Sequence, residues 1–420
     1  MTAISLTPLP LDRDSRAFRI ASTLADAEFR SVVLEGRPSA RRFWDDSIEV
    51  RPLTGGVGAQ AQAARGFVAG LRERQLGTAG EWALYALFRG DEWWRHCHLT
   101  RRQLAPARIF YLHSFEFFRA VAPLAARHGS RVIYDAHDFY RGIDPVAQQR
   151  QFDRKRLRPF LDRLEDRLLA EADAVVTVSS GVAGLVEAVS GRRPFVIRNC
   201  HDERLDRSSA ADLRTALGLT PAARLCVVVG NRKPGMAVDL AVAALSHLPE
   251  QFHLAFLGHG YEGLEHGLLD QSLRDRLHVG RTVAPSEVVP TIRSADIGLV
   301  LYEPYSENYR YALPNGFFQV VAASLPVVRL PLQEIERAIG GRVIGECLTR
   351  LDSASLASAI LRCEKQSAEL RCESAALAQT LRWEEEGQRL RAMIDQLLAR
   401  PVTARPARVA AADGAFLQPE

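Results

Sequence analysis

The sequence predicts an α/β protein built from two doubly wound domains, and three observations carry that reading. Short apolar runs alternate with longer amphipathic ones from end to end, the pattern of strand–helix units in parallel sheets rather than of sandwiches or bundles. The sequence turns polar near residues 200–212, where His201-Asp202-Glu203-Arg204 runs on to Ser208-Ser209 before a second apolar series begins. Finally, 420 residues exceed what one hydrophobic core usually organises, so two domains of similar size are expected.

In the first half the apolar runs Ala3–Leu6, Ser31–Leu34, Arg108–Leu112, Arg131–Tyr134, Ala174–Val178 and Pro194–Ile197 read as strands, with helical periodicity between them. Residues 53–104 interrupt the rhythm, starting with Thr54-Gly55-Gly56-Val57-Gly58 and ending in Trp93, Trp94, Arg95, Arg101 and Arg102. Tryptophan beside arginine marks either a membrane-interface patch or rings buried beneath a basic surface, and the second is the commoner case. After the break, Leu225–Val229, His253–Leu257, Leu277–Val279, Ile297–Leu301 and Pro326–Arg329 form a second strand series. An amphipathic helix over Arg382–Ala399 follows, and the tail from Pro401 has no usable periodicity and reads as disordered. The expected organisation is therefore 1–205 for the first domain, 206–381 for the second, 382–400 for a helix returning toward the first, and 401–420 for the tail.

Composition removes several function classes. The formal net charge of +4 is too small to imply nucleic acid, although Arg154, Lys155, Arg156 and Arg158 would meet phosphate locally or form a solvated helix face. Of the 54 basic residues all but Lys155, Lys233 and Lys365 are arginine, a bias that reads as genomic. Six scattered cysteines without a CxxC pair suit reduced thiols in the cytosol. His96-Cys97-His98 looks like metal ligands, but adjacent residues diverge on any regular element and no second cluster completes the set. No basic region followed by an apolar run opens the chain and no stretch of about 18 apolar residues occurs, so neither export nor membrane spanning is expected. A cytoplasmic protein is expected, with peripheral contact at the inner membrane surface as an option carried by Trp93-Trp94.

Open parallel sheets bind ligands beyond the carboxyl ends of their strands, so the residues after each apolar run are the ones to weigh. Val229-Gly230-Asn231-Arg232-Lys233-Pro234-Gly235 puts glycines and two cations before a helix, a composition suited to a diphosphate or to a plain Lys-Pro-Gly surface turn. Leu257-Gly258-His259-Gly260 repeats the glycine motif. The stretch from Ala295 to Val328 runs strand, polar loop, then Pro314-Asn315-Gly316 opening an amphipathic helix over Phe317–Ala323. The start of such a helix offers free amides and a positive dipole, and Gln319 one turn on would reach ribose hydroxyls. An ordinary helix capped by Asn315 explains its start but not the long polar loop.

In the first domain Val132-Ile133-Tyr134-Asp135-Ala136-His137-Asp138 ends a strand. On an extended segment Asp135 and His137 project together and Asp138 oppositely, at an edge where bases and positioning groups sit; a structural histidine is the even alternative. Tyr111-Leu112-His113-Ser114-Phe115-Glu116 ends the preceding strand and is a candidate acceptor lining.

These residues together resemble the large bacterial GT-B family of retaining glycosyltransferases that includes sucrose-synthase-like and polysaccharide-assembly enzymes. Asp14-Ser15-Arg16 with Ala21-Ser22-Thr23-Leu24-Ala25 is similar to the family's opening, and Tyr134 to Asp138 to its DxH segment. Ala172 to Ser179 precedes Ile197-Arg198-Asn199 at the place of its linker turn. The second-domain runs at Val229-Gly230-Asn231 with Asp239-Leu240-Ala241, at Leu257 to Gly260 and at Asp296–Val328 follow in the family's order.

The resemblance implies two Rossmann-like domains facing a central cleft, with a nucleotide-diphosphate sugar as co-substrate held by the second and the acceptor by the first. It implies neither metal nor other cofactor, because cationic side chains and helix ends neutralise the diphosphate. Carried over, His137 contacts the donor sugar, with Asp138 as base if the reaction inverts. Arg232, Lys233, Asn315 and Gly316 hold the diphosphate, Gln319 and Gly258 the ribose and base, and Asp14, Arg16 and His113 lie on the acceptor side. Two departures stand out: the family has lysine and glutamate where this chain has Gly316 and Gln319, and a lysine-glycine pair where it has Met236-Ala237.

The leading expectation is a hexosyltransferase-type enzyme in carbohydrate biosynthesis, acting on a polysaccharide, lipid-linked or small alcohol acceptor with retention. The alternative is a catalytically silent scaffold that binds nucleotide or a protein partner, and an epimerase on the same fold is a third reading. A metal-dependent GT-A enzyme is excluded, since its only DxD, Asp12-Arg13-Asp14, lies at the N-terminus; a dinucleotide oxidoreductase fails for want of GxGxxG after the first strand.

Overall fold

A computed structural model describes residues 1–53, 103–142, 162–206, 212–267 and 270–401. The tryptophan-arginine stretch around Trp93, the His96-Cys97-His98 run, the 154–158 cations and the tail beyond 401 lie outside the described residues.

Two sheets organise the chain. The first has strands β1 (Thr2–Thr7), β2 (Arg30–Glu35), β3 (Ile48–Pro52), β4 (Ile109–Leu112), β5 (Arg131–Asp135), β6 (Ala174–Thr177) and β7 (Phe195–Val196), in the spatial order β3-β2-β1-β4-β5-β6-β7. The second has β8 (Arg224–Val229), β9 (Phe252–Leu257), β10 (Leu277–Arg281), β11 (Ile297–Val300), β12 (Val327–Arg329) and β13 (Gly345–Cys347), in the order β10-β9-β8-β11-β12-β13. Every ladder of the second sheet is parallel, as are those joining β3 through β6 in the first. Counted along the chain, the second sheet reads 3-2-1-4-5-6, with its direction of winding reversed between β8 and β11.

The strands form where the sequence is continuously apolar because both faces of a parallel sheet are covered. β4 and β6 are buried at every residue, as are Leu225–Val229 of β8. Two strands escape the sequence reading. β3 carries only Ile48 and Val50 as aliphatic side chains and is half exposed at the sheet edge, and β13 is three residues long; each is specified by its neighbour's unpaired backbone rather than by its own side chains.

The helices that matter for the site are α1 (Ser15–Asp26), α2 (Phe118–His128), α3 (residues 162–171), α4 (Ser180–Ser190), α5 (Leu213–Ala216), α6 (Val238–Ala244), α7 (Gln271–Arg276), α8 (Val288–Ile292), α9 (Glu307–Arg310) and α10 (Asn315–Ala322). α10 buries Phe317, Phe318, Val320 and Val321, each contributing about 1.5–3 kcal/mol by leaving water. Further helices are α11 (Gln333–Ile339), α12 (Ser353–Lys365), α13 (Ser367–Ala378) and α14 (Trp383–Ala399). Among the described residues no helix is long and apolar enough to cross a membrane.

The chain divides into two compact units. Among the described residues one unit draws on residues 1–53, 103–136, 162–176 and 390–401, the other on 137–142, 177–206, 212–267 and 270–389. Within the second, the buried Glu386 at the start of α14 accepts from the Arg198 main chain at 2.9 Å and from its guanidinium at 2.7 Å, fixing the segment that leads out of β7.

Candidate functional site

In a sheet ordered 3-2-1-4-5-6, loops leaving the carboxyl ends on either side of the reversal turn away from each other and leave room between them. Here those loops follow β8 and β11. The β8 loop, Gly230 to Met236, is anchored to both neighbours: Gly230 donates to the Leu257 carbonyl and Arg232 to that of His259, each at 2.9 Å, while Glu303 donates to the Gly235 carbonyl at 2.7 Å. Met236 forms a bridge with Tyr302. The main chain is thus held while the side chains of Arg232 and Lys233 remain exposed. Among the described residues Arg232 has only the exposed Asp239, at 3.8 Å, as ion partner, a contact worth little in water. Both cations are therefore available to an anion.

α10 starts beside this loop. Its cap position is Pro314, and among the described residues no side chain caps it; Asn315 is the first helical residue, which sets aside the alternative of an ordinary helix capped by Asn315. The first-turn amides keep their partial positive charge for a ligand. Gly316 explains itself sterically: a Cβ there would lie 2.7 Å from the Val229 carbonyl oxygen. The helix approaches the end of β8 so closely that the lysine found at this place in the resembled family cannot be accommodated without displacing backbone. Gln319 is half buried one turn further on, and Gly258 is buried against the Gly230 carbonyl at the end of β9.

Tyrosines wall the loop on its other side, and sequence reading passed over them. Tyr261 donates to the Gly230 carbonyl at 2.9 Å. Tyr305 lies against Gly235, and its ring centroid is 4.8 Å from that of Tyr309, which in turn is 6.1 Å from Tyr302. Burial pushes the phenols of Tyr261, Tyr302 and Tyr309 above their ordinary range, so all three remain protonated donors at neutral pH. The available signal was the density of tyrosine after β11, at 302, 305, 309 and 311.

The His137-Asp138 segment joins the same compact unit. Asp138 accepts from the Asn308 carboxamide at 3.3 Å, and its charge adds to the upward push on Tyr309. His137 is half buried with Nδ1 shielded from solvent and lacking a hydrogen-bond partner among the described residues. The structure therefore brings Asp138, and with it the segment that carries His137, against Asn308 in the connection after β11.

Asp135 is not free to share a site with His137. β5 ends at Asp135, which is fully buried and receives Arg16 in two hydrogen bonds of 2.7 and 2.9 Å. Burial opposes the charge on Arg16, but Asp135 outweighs it and holds the guanidinium above its usual range. A carboxylate at 0% exposure needs that partner, and the pair closes the end of the first sheet.

The other acceptor-side residues also have neighbours within the first unit. His113 is buried, its Nδ1 3.5 Å from Asp135. Asp14 caps α1 through the Ala17 amide and accepts from the Thr7 hydroxyl at 2.6 Å. Asp12, the other half of the DxD, accepts from the amides of Ala40 and Arg41.

The matches to known proteins agree with this architecture. Residues 15–200 match the model of the family described as "Glycosyl transferase 4-like domain". The whole chain has the GT-B fold, and the solved structures that match it show this. Sucrose-phosphate synthase from Thermosynechococcus elongatus is 17% identical, over 95% of this chain and 100% of its own, with a TM-score of 0.66. Anabaena HepE in complex with UDP-glucose is 16% identical over 94% and 100%, with a TM-score of 0.61. WaaG, a glycosyltransferase involved in lipopolysaccharide biosynthesis, is 15% identical over 94% and 99%, with a TM-score of 0.60. No curated protein sequence is significantly similar to the chain. The matched region ends at Cys200, and the switch-point loops of the second sheet lie wholly beyond it.

Proposed function

We propose that this GT-B protein transfers a sugar from a nucleotide-diphosphate sugar to an alcohol acceptor, in the cytoplasm, with retention and without a metal. The observation that carries this reading is the juxtaposition at the β8–β11 reversal of an uncapped helix start with two exposed cations on a main chain that is itself fully anchored. A diphosphate is the anion that such an arrangement suits: amides of α10 meet one phosphate while Arg232 and Lys233 offer charge-assisted hydrogen bonds. The charge that builds on the departing diphosphate would be stabilised by the same groups. His137 would contact the donor sugar, Gln319 and Gly258 the nucleoside, and the rim over Asp14, Arg16 and His113 would take the acceptor. HepE has been crystallised with UDP-glucose, which supports a nucleotide sugar as the ligand class.

A panel of nucleotide sugars offered to the full chain with simple alcohol, lipid-linked and oligosaccharide acceptors tests the reading. Release of nucleoside diphosphate together with a glycosylated product of retained anomeric configuration is expected, unchanged by chelators. A second reading has its own observation: Gly316, whose close approach to Val229 leaves no room for the family's lysine, together with Gln319 favours a silent scaffold. Tight nucleotide binding without turnover of any donor would select it.

A further inference from the structure

The turn after β11 and the segment after β5 are fastened by one side chain. Asn308 sits in α9 with 9% of its surface exposed, 170 residues from Asp138 in the sequence. Its carbonyl oxygen accepts from the Phe139 amide at 2.9 Å, and its amide nitrogen donates to Asp138 at 3.3 Å. Both ends of the carboxamide thus serve the same short segment. The two segments lie against each other closely enough that a Cβ on Gly142 would come within 3.0 Å of the Asn308 amide and 3.1 Å of the Glu307 Cβ. Neither an aspartate nor an alanine at 308 would reproduce this: the first repels Asp138 and the second leaves its carboxylate free to rotate.

We propose that Asn308 is a positioning residue, which fixes the Asp138 carboxylate and the main chain that carries His137 to the donor-binding loops and thereby governs turnover rather than donor affinity. The proposal rests on the transferase reading above, and α9 is the element it adds to the site. Asp138 acts electrostatically on the Tyr309 phenol of α9; the other titratable groups next to the contact along the two segments are Glu307 on α9 and His137 and Arg141 on the opposite segment.

The test uses the full chain as wild type, Asn308→Asp and Asn308→Ala, with UDP-glucose or whichever panel donor the wild type turns over, and with the matching nucleoside diphosphate as binding probe. Asn308→Asp is nearly isosteric and still accepts from Phe139, but sets two carboxylates face to face, so one of them binds a proton more tightly. Its kcat should fall about 10²-fold at mildly alkaline pH, the effect of a small displacement at the reacting centre. KM and diphosphate affinity should stay within about threefold. Activity should return as the pH falls, because a shared proton restores the hydrogen bond, whereas wild type shows no such acid recovery. Asn308→Ala should lose kcat at every pH; if it does not fold, the Asp variant carries the test. Unchanged kcat and pH profile in folded variants overturn the proposal alone, as does an equal loss of kcat and diphosphate binding. A wild type that binds diphosphate but turns over no donor overturns the transferase reading and the proposal with it.

Discussion

The carboxyl edges of the two sheets face the same structural problem and treat charge in opposite ways. At the first edge every notable charge is answered from within the protein: Arg16 by Asp135, Asp12 by the amides of Ala40 and Arg41, and Glu35 by Ser39 and the Leu11 amide. At the second, backbone polar groups are answered and side-chain charge is not. The β8 loop is pinned through its amides, while Arg232 and Lys233 stand in water and the start of α10 has no cap. The difference teaches that an acid or histidine at a strand end is no sign of chemistry until its partners are counted. Buried charges must be paired where they stand, and a ligand-binding charge must be left over.

The largest expected effect tests the closed edge. Arg16→Ala leaves Asp135 buried without its ion partner and should cost about 3–5 kcal/mol of stability, read from denaturant unfolding; a loss under about 1 kcal/mol would mean that water reaches the carboxylate and that this edge is not closed. Next comes Gly316→Lys, which supplies the residue of the resembled family. Against the Val229 carbonyl it should destabilise by about 1–3 kcal/mol and weaken rather than improve diphosphate binding; a gain in affinity would show that α10 can move back. Arg232→Ala should leave the melting temperature unchanged and weaken binding of a nucleoside diphosphate about tenfold or more, the value of a charge-assisted hydrogen bond, measured by calorimetry. Equal affinity would remove this loop from the open edge. The smallest effect belongs to Asp14→Ala, the loss of one helix cap, at about 1 kcal/mol by thermal unfolding with donor binding intact.

Much of the fold was legible because it depends on local pattern. The runs at Leu225–Val229 and Ile297–Leu301 are strands within one residue of their expected bounds, since continuous β-branched and aliphatic sequence admits little else when both faces are covered. β3 and β13 were not legible, because an edge strand is selected by its neighbour's hydrogen-bonding groups. In the candidate site, the glycine and cation loop after β8 and the helix start at Asn315 were visible as composition. Asn308 and the tyrosine wall were not, since Asn308 in a polar loop looks like any solvated turn until Asp138 arrives from 170 residues away.

By itself, then, the sequence determined where strands end and where glycine and arginine follow them, because hydrophobic period and turn chemistry act over a few residues. Only the tertiary structure decided which charges are used up. Arg16 and Asp135, 119 residues apart, become a buried pair, and Gly316 becomes a packing requirement rather than a lost lysine. Pairing and desolvation are set by what surrounds a group in space, and that environment is assembled from segments that no local pattern connects.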